Sequence, residues 1–145
     1  MKRIVTATIL ATLPAMACAE PIIVPSDGTV PETVERLTAS VEEAGGRVFG
    51  VVDFGGDIRS IGGDVGEVQL VIFGDPRIGE LALSADPMAA LDLPGKVLVF
   101  GTADGTAMAY MRPAEMLAEW DIPADAPVLE MMLRTLDAVT SAAAQ

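Results

Sequence analysis

Four aspartates, Asp53, Asp75, Asp86 and Asp92, stand at the ends of apolar segments. Gathered in one cleft, such carboxylates would serve acid–base catalysis or hold a hard cation. Each also fits a local role: Asp86 precedes Pro87 and Asp92 comes just before Leu93-Pro94, positions where an Asp side chain bonds nearby backbone in a turn. A second set is Arg77, Tyr110, Arg112 and Asp92. Tyr110 and Arg112 fall on one face of a strand and Arg77 heads a helix, so this set is the candidate ligand site, suited to a small anion. Arginine pairing with the chain's many carboxylates competes with that reading. The third set is thioether: Met108, Met111, Met116, Met131 and Met132 crowd the C-terminal third, a composition compatible with Cu(I). Their spacing favours core instead, since Met108 alternates with Tyr110 along a strand and Met131-Met132 lie in a helical apolar stripe. No metal site is expected.

The absences restrict the chemistry further. The chain has no His, and its single Cys is Cys18. Ser-His-Asp and Cys-His nucleophiles, His- or Cys-ligated zinc and His- or Cys-ligated haem are therefore excluded from the segment after Cys18. Carboxylates, hydroxyls, Arg, Lys96, Tyr110 and thioethers remain. The residue set leans away from an enzyme, implies no cofactor and fits a ligand- or protein-binding module best. An enzyme built on carboxylate or Tyr/Arg chemistry, and a copper-binding protein, stay open as alternatives.

The stretch "FGDPRIG", Phe73 to Gly79, places an acid, a proline and an arginine at the end of the most apolar run beyond the N-terminal segment. It reads as a structural turn. Gly74 permits a sharp exit from a strand, Asp75 suits a helix N-cap, and Pro76 suits the first helical position, where a missing N–H costs nothing.

These residues must be placed by a single domain, because 145 residues suit one core and no linker or repeat divides them. Residues 1–19 stand apart: Lys2 and Arg3, an apolar stretch from Ile4 to Leu13, then Ala17-Cys18-Ala19. That is the pattern of a signal peptide cleaved before Glu20, with residues 20–145 delivered to the periplasm or secreted. The competing reading is a lipoprotein anchored at Cys18 through "AMAC", although the leucine usual three residues earlier is missing. The apolar run is shorter than the ~20 residues that span a bilayer, so no transmembrane span is expected. Cleavage removes two of nine basic residues and none of twenty-one acidic ones, leaving a net charge of −14. Such a surface repels nucleic acid.

Along residues 20–145, Ile22 to Pro25 reads as a strand. Val30, Val34, Leu37, Val41 and Ala44 line one helical face, with Thr29 and Glu32 as a capping box and Gly45-Gly46 as the stop. Arg47 to Phe54 is a strand, and the glycines at 55, 56, 62 and 63 make the next segment a flexible, polar connection. Val68 to Phe73 is apolar on both faces, as in a central strand covered on both sides. A helix bearing Ile78, Leu81, Ala82 and Ala85 ends at Asp86-Pro87, and "MAALDLP" adds about a turn. Two strands pair around "TADGT" as a hairpin. Pro113 starts a short helix to about Trp120, and a last helix from Asp125 carries Val128, Met131, Met132, Leu136 and Val139 on one stripe, its alanine-rich end fraying.

The segments "PETVERLTASVEEAGGRVFGVVDF", "QLVIFGDPRIGELALSADPMAALDLPGKVLVF" and "DGTAMAYMRP" resemble the DUF302 family, with the "FG-x-P" and "LDLP" pair the most specific part. The resemblance implies an α+β fold like that of the TATA-binding protein, an antiparallel-rich sheet of about five strands packed by helices. It implies no defined activity. Members commonly carry Asn at the position of Asp75 and often His at that of Phe54, so any metal or acid–base role of that His is not expected here. The expected partner is a small molecule or a protein, with a homodimer left open.

Overall fold

The computed structural model describes residues 20–145, and the export signal read from residues 1–19 lies outside the described residues. Five strands, β1 (Ile22–Ser26), β2 (Arg47–Asp53), β3 (Val68–Gly74), β4 (Gly95–Thr102) and β5 (Gly105–Tyr110), form one antiparallel sheet in the order β1-β5-β4-β3-β2. The helices are α1 (Val30–Glu43), α2 (Phe54–Ser60), α3 (Pro76–Ala85), α4 (Pro113–Met116) and α5 (Pro127–Ala143), with a 3-10 turn at Pro87–Leu91. The chain is thus α+β, as the sequence implies.

Registers such as Val71 opposite Val97, Val99 opposite Met108 and Ile22 opposite Tyr110 turn these side chains to one face. The apolar stripes of α1 and α5 close over that face: Val30, Leu37 and Val41 from one helix, Leu136, Val139 and Ala143 from the other. This is the main core. The other face, bearing Leu70, Ile72, Leu98 and Phe100, is only half-buried, so β3 is not covered equally on both sides as its sequence implies. A second cluster forms away from the sheet, where Ala82, Ala89, Leu117, Ile122, Val128, Leu129 and Met132 meet between α3, the 3-10 turn, α4 with its following loop, and α5.

The capping box of α1 is present, with Glu32 N–H donating to Thr29 and the Glu32 carboxylate accepting from Thr29 N–H. Gly45, at φ +80, takes the left-handed conformation that ends the helix without a Cβ penalty.

Three local expectations are corrected. Residues 54–60 are helical rather than a flexible connection, because the Asp53 carboxylate accepts Gly56 N–H at 2.9 Å and caps the turn. The Pro113 helix stops at Met116, well short of Trp120. The alanine-rich end does not fray: Ala143 is fully buried, and its carbonyl accepts from Arg36 Nε at 3.0 Å. Among the described residues no helix is long and apolar enough to cross a membrane.

Candidate functional site

Each aspartate singled out in the sequence already has hydrogen-bond partners, not all of them local as expected: the Asp92 bond is to a residue 28 positions on. Asp53 caps α2. Asp86 accepts Met88 N–H at 2.9 Å and, across 35 residues, Asp121 N–H at 3.0 Å. These backbone donors hold its carboxyl below the usual range, Asp121 first. Asp92 accepts the Trp120 indole N–H at 2.7 Å, so this member of the candidate ligand set ties the loop after α4 to the 3-10 turn. Among the described residues no group of three or more carboxylates is gathered as a cation site.

The Arg77, Tyr110, Arg112 set is likewise divided. Tyr110 is buried against the main core and donates its hydroxyl to Asp137 of α5. Burial first, and that hydrogen bond second, push its pKa up to about 12. Arg112 is exposed beyond the strand, immediately before α4. Arg77 lies at the head of α3, and β4 intervenes between β3, which feeds that helix, and β5, which carries Tyr110. Its guanidinium clasps Asp75 at 2.6 Å. The methionines are dispersed too: Met108 in the main core, Met116 and Met132 in the second cluster, Met88 and Met111 exposed.

At "FGDPRIG" the turn forms as the residue types dictate. Asp75 is the N-cap of α3 and accepts Arg77 N–H at 2.9 Å, with Pro76 in the first turn. The hydrogen bonds from Arg77, side chain first and backbone second, hold the Asp75 carboxyl below its ordinary value. The turn is also a wall. Phe73, Gly74, Asp75 and Pro76 line a cavity of about 570 Å³, and so do Leu93, Pro94 and Gly95 from the segment that enters β4. The Leu93–Pro94 bond is cis.

The rest of the lining comes from every element nearby. The C-terminal end of α1 contributes Val41 and Ala44, α3 contributes Ile78 and Leu83, and α5 contributes Met132, Leu136 and Val139. Phe49 arrives through a bulge in β2, where the register shifts between Val48 and Gly50. Close approach at the α1–β2 corner needs Gly46, since a Cβ there would meet Val41 Cγ1 at 3.0 Å. The cavity is therefore the seam of the two apolar clusters: Val41, Phe73, Leu136 and Val139 belong to the main one, Ile78, Leu93 and Met132 to the second. Its lining is hydrocarbon apart from Asp75, Arg134 and Thr135, and the Thr135 hydroxyl already donates to the Met131 carbonyl at 3.0 Å. Sequence reasoning missed this cavity, although the two segments that resemble the family most specifically are the ones that meet at it.

Residues 22–142 match the family described as "Domain of unknown function DUF302". The chain belongs to the DUF302 family. The DUF302 domain has a solved structural neighbour, the crystal structure of an uncharacterised conserved DUF302 protein from Bacillus stearothermophilus. The two superpose with a TM-score of 0.78 over 86% of this chain and 98% of that one, at 18% identity, which shows a shared fold. Over 98 residues, 68% of this chain, the DUF302 domain is also 30% identical to proteins named fluoride-specific ion channel FluC 1 from Brucella suis biovar 1 and Brucella abortus biovar 1. The match spans only 39% and 36% of those relatives' lengths.

Proposed function

We propose that this DUF302 domain is a non-catalytic binding module that holds a small molecule with an apolar body in the seam between its two hydrophobic clusters. One observation carries the reading. Two segments remote in sequence, Phe73–Pro76 and Leu93–Gly95, turn at the ends of adjacent strands and meet at one apolar cavity. A cavity of this volume and lining is of the kind that buries small ligands. The carboxylates that an enzyme would need are occupied as caps and loop ties, and the segment after Cys18 holds neither a His nor a Cys. The charge, apolar and small-residue pattern of residues 1–19 supports export, with cleavage before Glu20 and a periplasmic or secreted destination. The fluoride-channel role named for the Brucella relatives stays with them and is no part of the proposal, because the match spans only 39% and 36% of their lengths.

A thermal-shift screen of apolar compounds against wild type and Gly79→Leu tests it. Gly79 lines the cavity, and a Cβ there meets no atom within 4 Å, so the leucine narrows the space without a clash at its root. Wild type is expected to be stabilised by a subset of the compounds and Gly79→Leu by none of them. Equal shifts in both proteins, or no shift in wild type, would overturn the reading.

A further inference from the structure

Resting on that cavity reading, we infer that the ligand is an amphiphilic anion, a hydrocarbon or aryl body ending in a carboxylate. The argument is one of charge placement. After residue 19 the chain holds seven basic residues against twenty-one acidic ones, so a random stretch of surface is acidic. At the cavity the balance differs. Arg134 lines it directly, with its side chain 68% exposed. Arg77, 76% exposed, clasps the one carboxylate of the lining, Asp75. Arg47 stands 5.6 Å from the ring centroid of Phe49, another lining residue. One of the seven cations therefore lines the apolar opening, and two more touch residues of its lining.

The local acids leave this bias in place. Asp75 is neutralised by Arg77 through three side-chain hydrogen bonds of 2.6–3.1 Å. Glu130 meets Arg134 at 3.3 Å across one helical turn, both side chains more than two-thirds exposed, a pairing weak enough for a ligand carboxylate to displace. Glu42, Glu43 and Glu80, nearby in sequence, are exposed, and among the described residues none of them forms an ion pair with the cations at the cavity. A long arginine side chain lays its stem along an apolar wall and keeps its head in water, so the tail of a ligand would sit inside and its anionic head at the rim. The interior itself offers no unpaired buried side-chain donor or acceptor, which leaves a deeply seated polar group without a partner.

Calorimetric titration with dodecanoate, dodecan-1-ol and dodecylammonium, each below its micelle concentration and at low salt, decides the matter. Dodecanoate is expected to bind about tenfold more tightly than the alcohol, and dodecylammonium more weakly than either. In Arg134→Gln, dodecanoate should fall to within about threefold of the alcohol measured in the same variant. Equal or tighter binding of dodecylammonium overturns the assignment of charge while leaving the cavity reading intact, as does an unchanged dodecanoate preference in Arg134→Gln. Silence of all three probes overturns both.

Discussion

The two hydrophobic clusters are built by different means. The main one is closed by a five-stranded ladder on one side and two amphipathic helices on the other, and buried hydroxyls beside it find partners: Ser26 with Thr33 at 2.8 Å, and Thr140 donating to the Leu136 carbonyl at 2.7 Å. The second has no strand. The start of α5 is covered there by α3, the 3-10 turn, α4 and the loop that follows it, and two carboxylates cross-link the periphery, Asp86 to the Asp121 backbone and Asp92 to the Trp120 indole. A unit closed by a few side-chain ties over loops opens at lower free energy than one closed by a ladder. The seam between a rigid wall and a looser one is a place where a cavity can admit a ligand.

The sharpest way to break this comparison is to cut a cavity in each unit. Leu37→Ala and Leu117→Ala each remove a fully buried side chain, at a cost of about 2–5 kcal/mol for well-packed sites. Leu37→Ala is expected at the upper end, with lower amide hydrogen-exchange protection throughout the sheet. Leu117→Ala should lower protection in residues 113–126 and leave the β3 and β4 amides unchanged. Equal loss in the sheet would make the two clusters one cooperative unit.

A smaller effect is expected at Asp75. Asp75→Ala removes the N-cap of α3 and should cost roughly 0.5–2 kcal/mol in urea unfolding, whereas Asp75→Asn keeps a capping acceptor and should stay near wild type. The Asp75 and Asp86 carboxyls are both lowered in the folded state. Their stabilisation is therefore complete above the ordinary Asp pKa of 3.8 and is lost as pH falls through the lowered values. Exchange measured across that acid range should show the Asp86 tie releasing residues 113–126 before the sheet opens.

The smallest effect belongs to Tyr110, the single tyrosine, so ultraviolet titration reads it alone. Its raised pKa means that the neutral phenol is favoured by folding. That contribution is intact below the ordinary value of 10 and disappears as pH rises toward about 12. The midpoint is expected near 12, and Asp137→Asn should move it downward, though not to 10, because burial is the larger cause.

Much of the main core was legible in the sequence because its signals are local. Thr29, Glu32, Pro31 and Gly45 mark both ends of α1, and a spacing of three and four marks its buried face. At α2 composition misled: the glycines at 55 and 56 read as loop, while the cap from Asp53 and the packing of buried Gly55 against Gly66 and Val68 hold a helix. At Ala143 residue type misled as well, since an alanine tail frays only where nothing holds its carbonyls, and Arg36 holds this one. The cavity was not legible because Val41, Phe49, Leu93 and Met132 each look like ordinary core residues along the chain. Only the fold shows that they leave space between them. The set of Arg77, Tyr110 and Arg112 came from strand alternation and helix position, neither of which encodes the distance across β4.

The bulge that brings Phe49 to the cavity also bears on how copies of the molecule meet. It interrupts the hydrogen-bonding register of β2, one of the two outer strands, beside the charged Arg47. The other outer strand, β1, contains Pro25, which has no N–H to offer. Irregular or donor-poor margins of this kind oppose the addition of another strand. Continuous sheet growth from molecule to molecule is thereby disfavoured at both margins, so a homodimer of this domain would be built through a face.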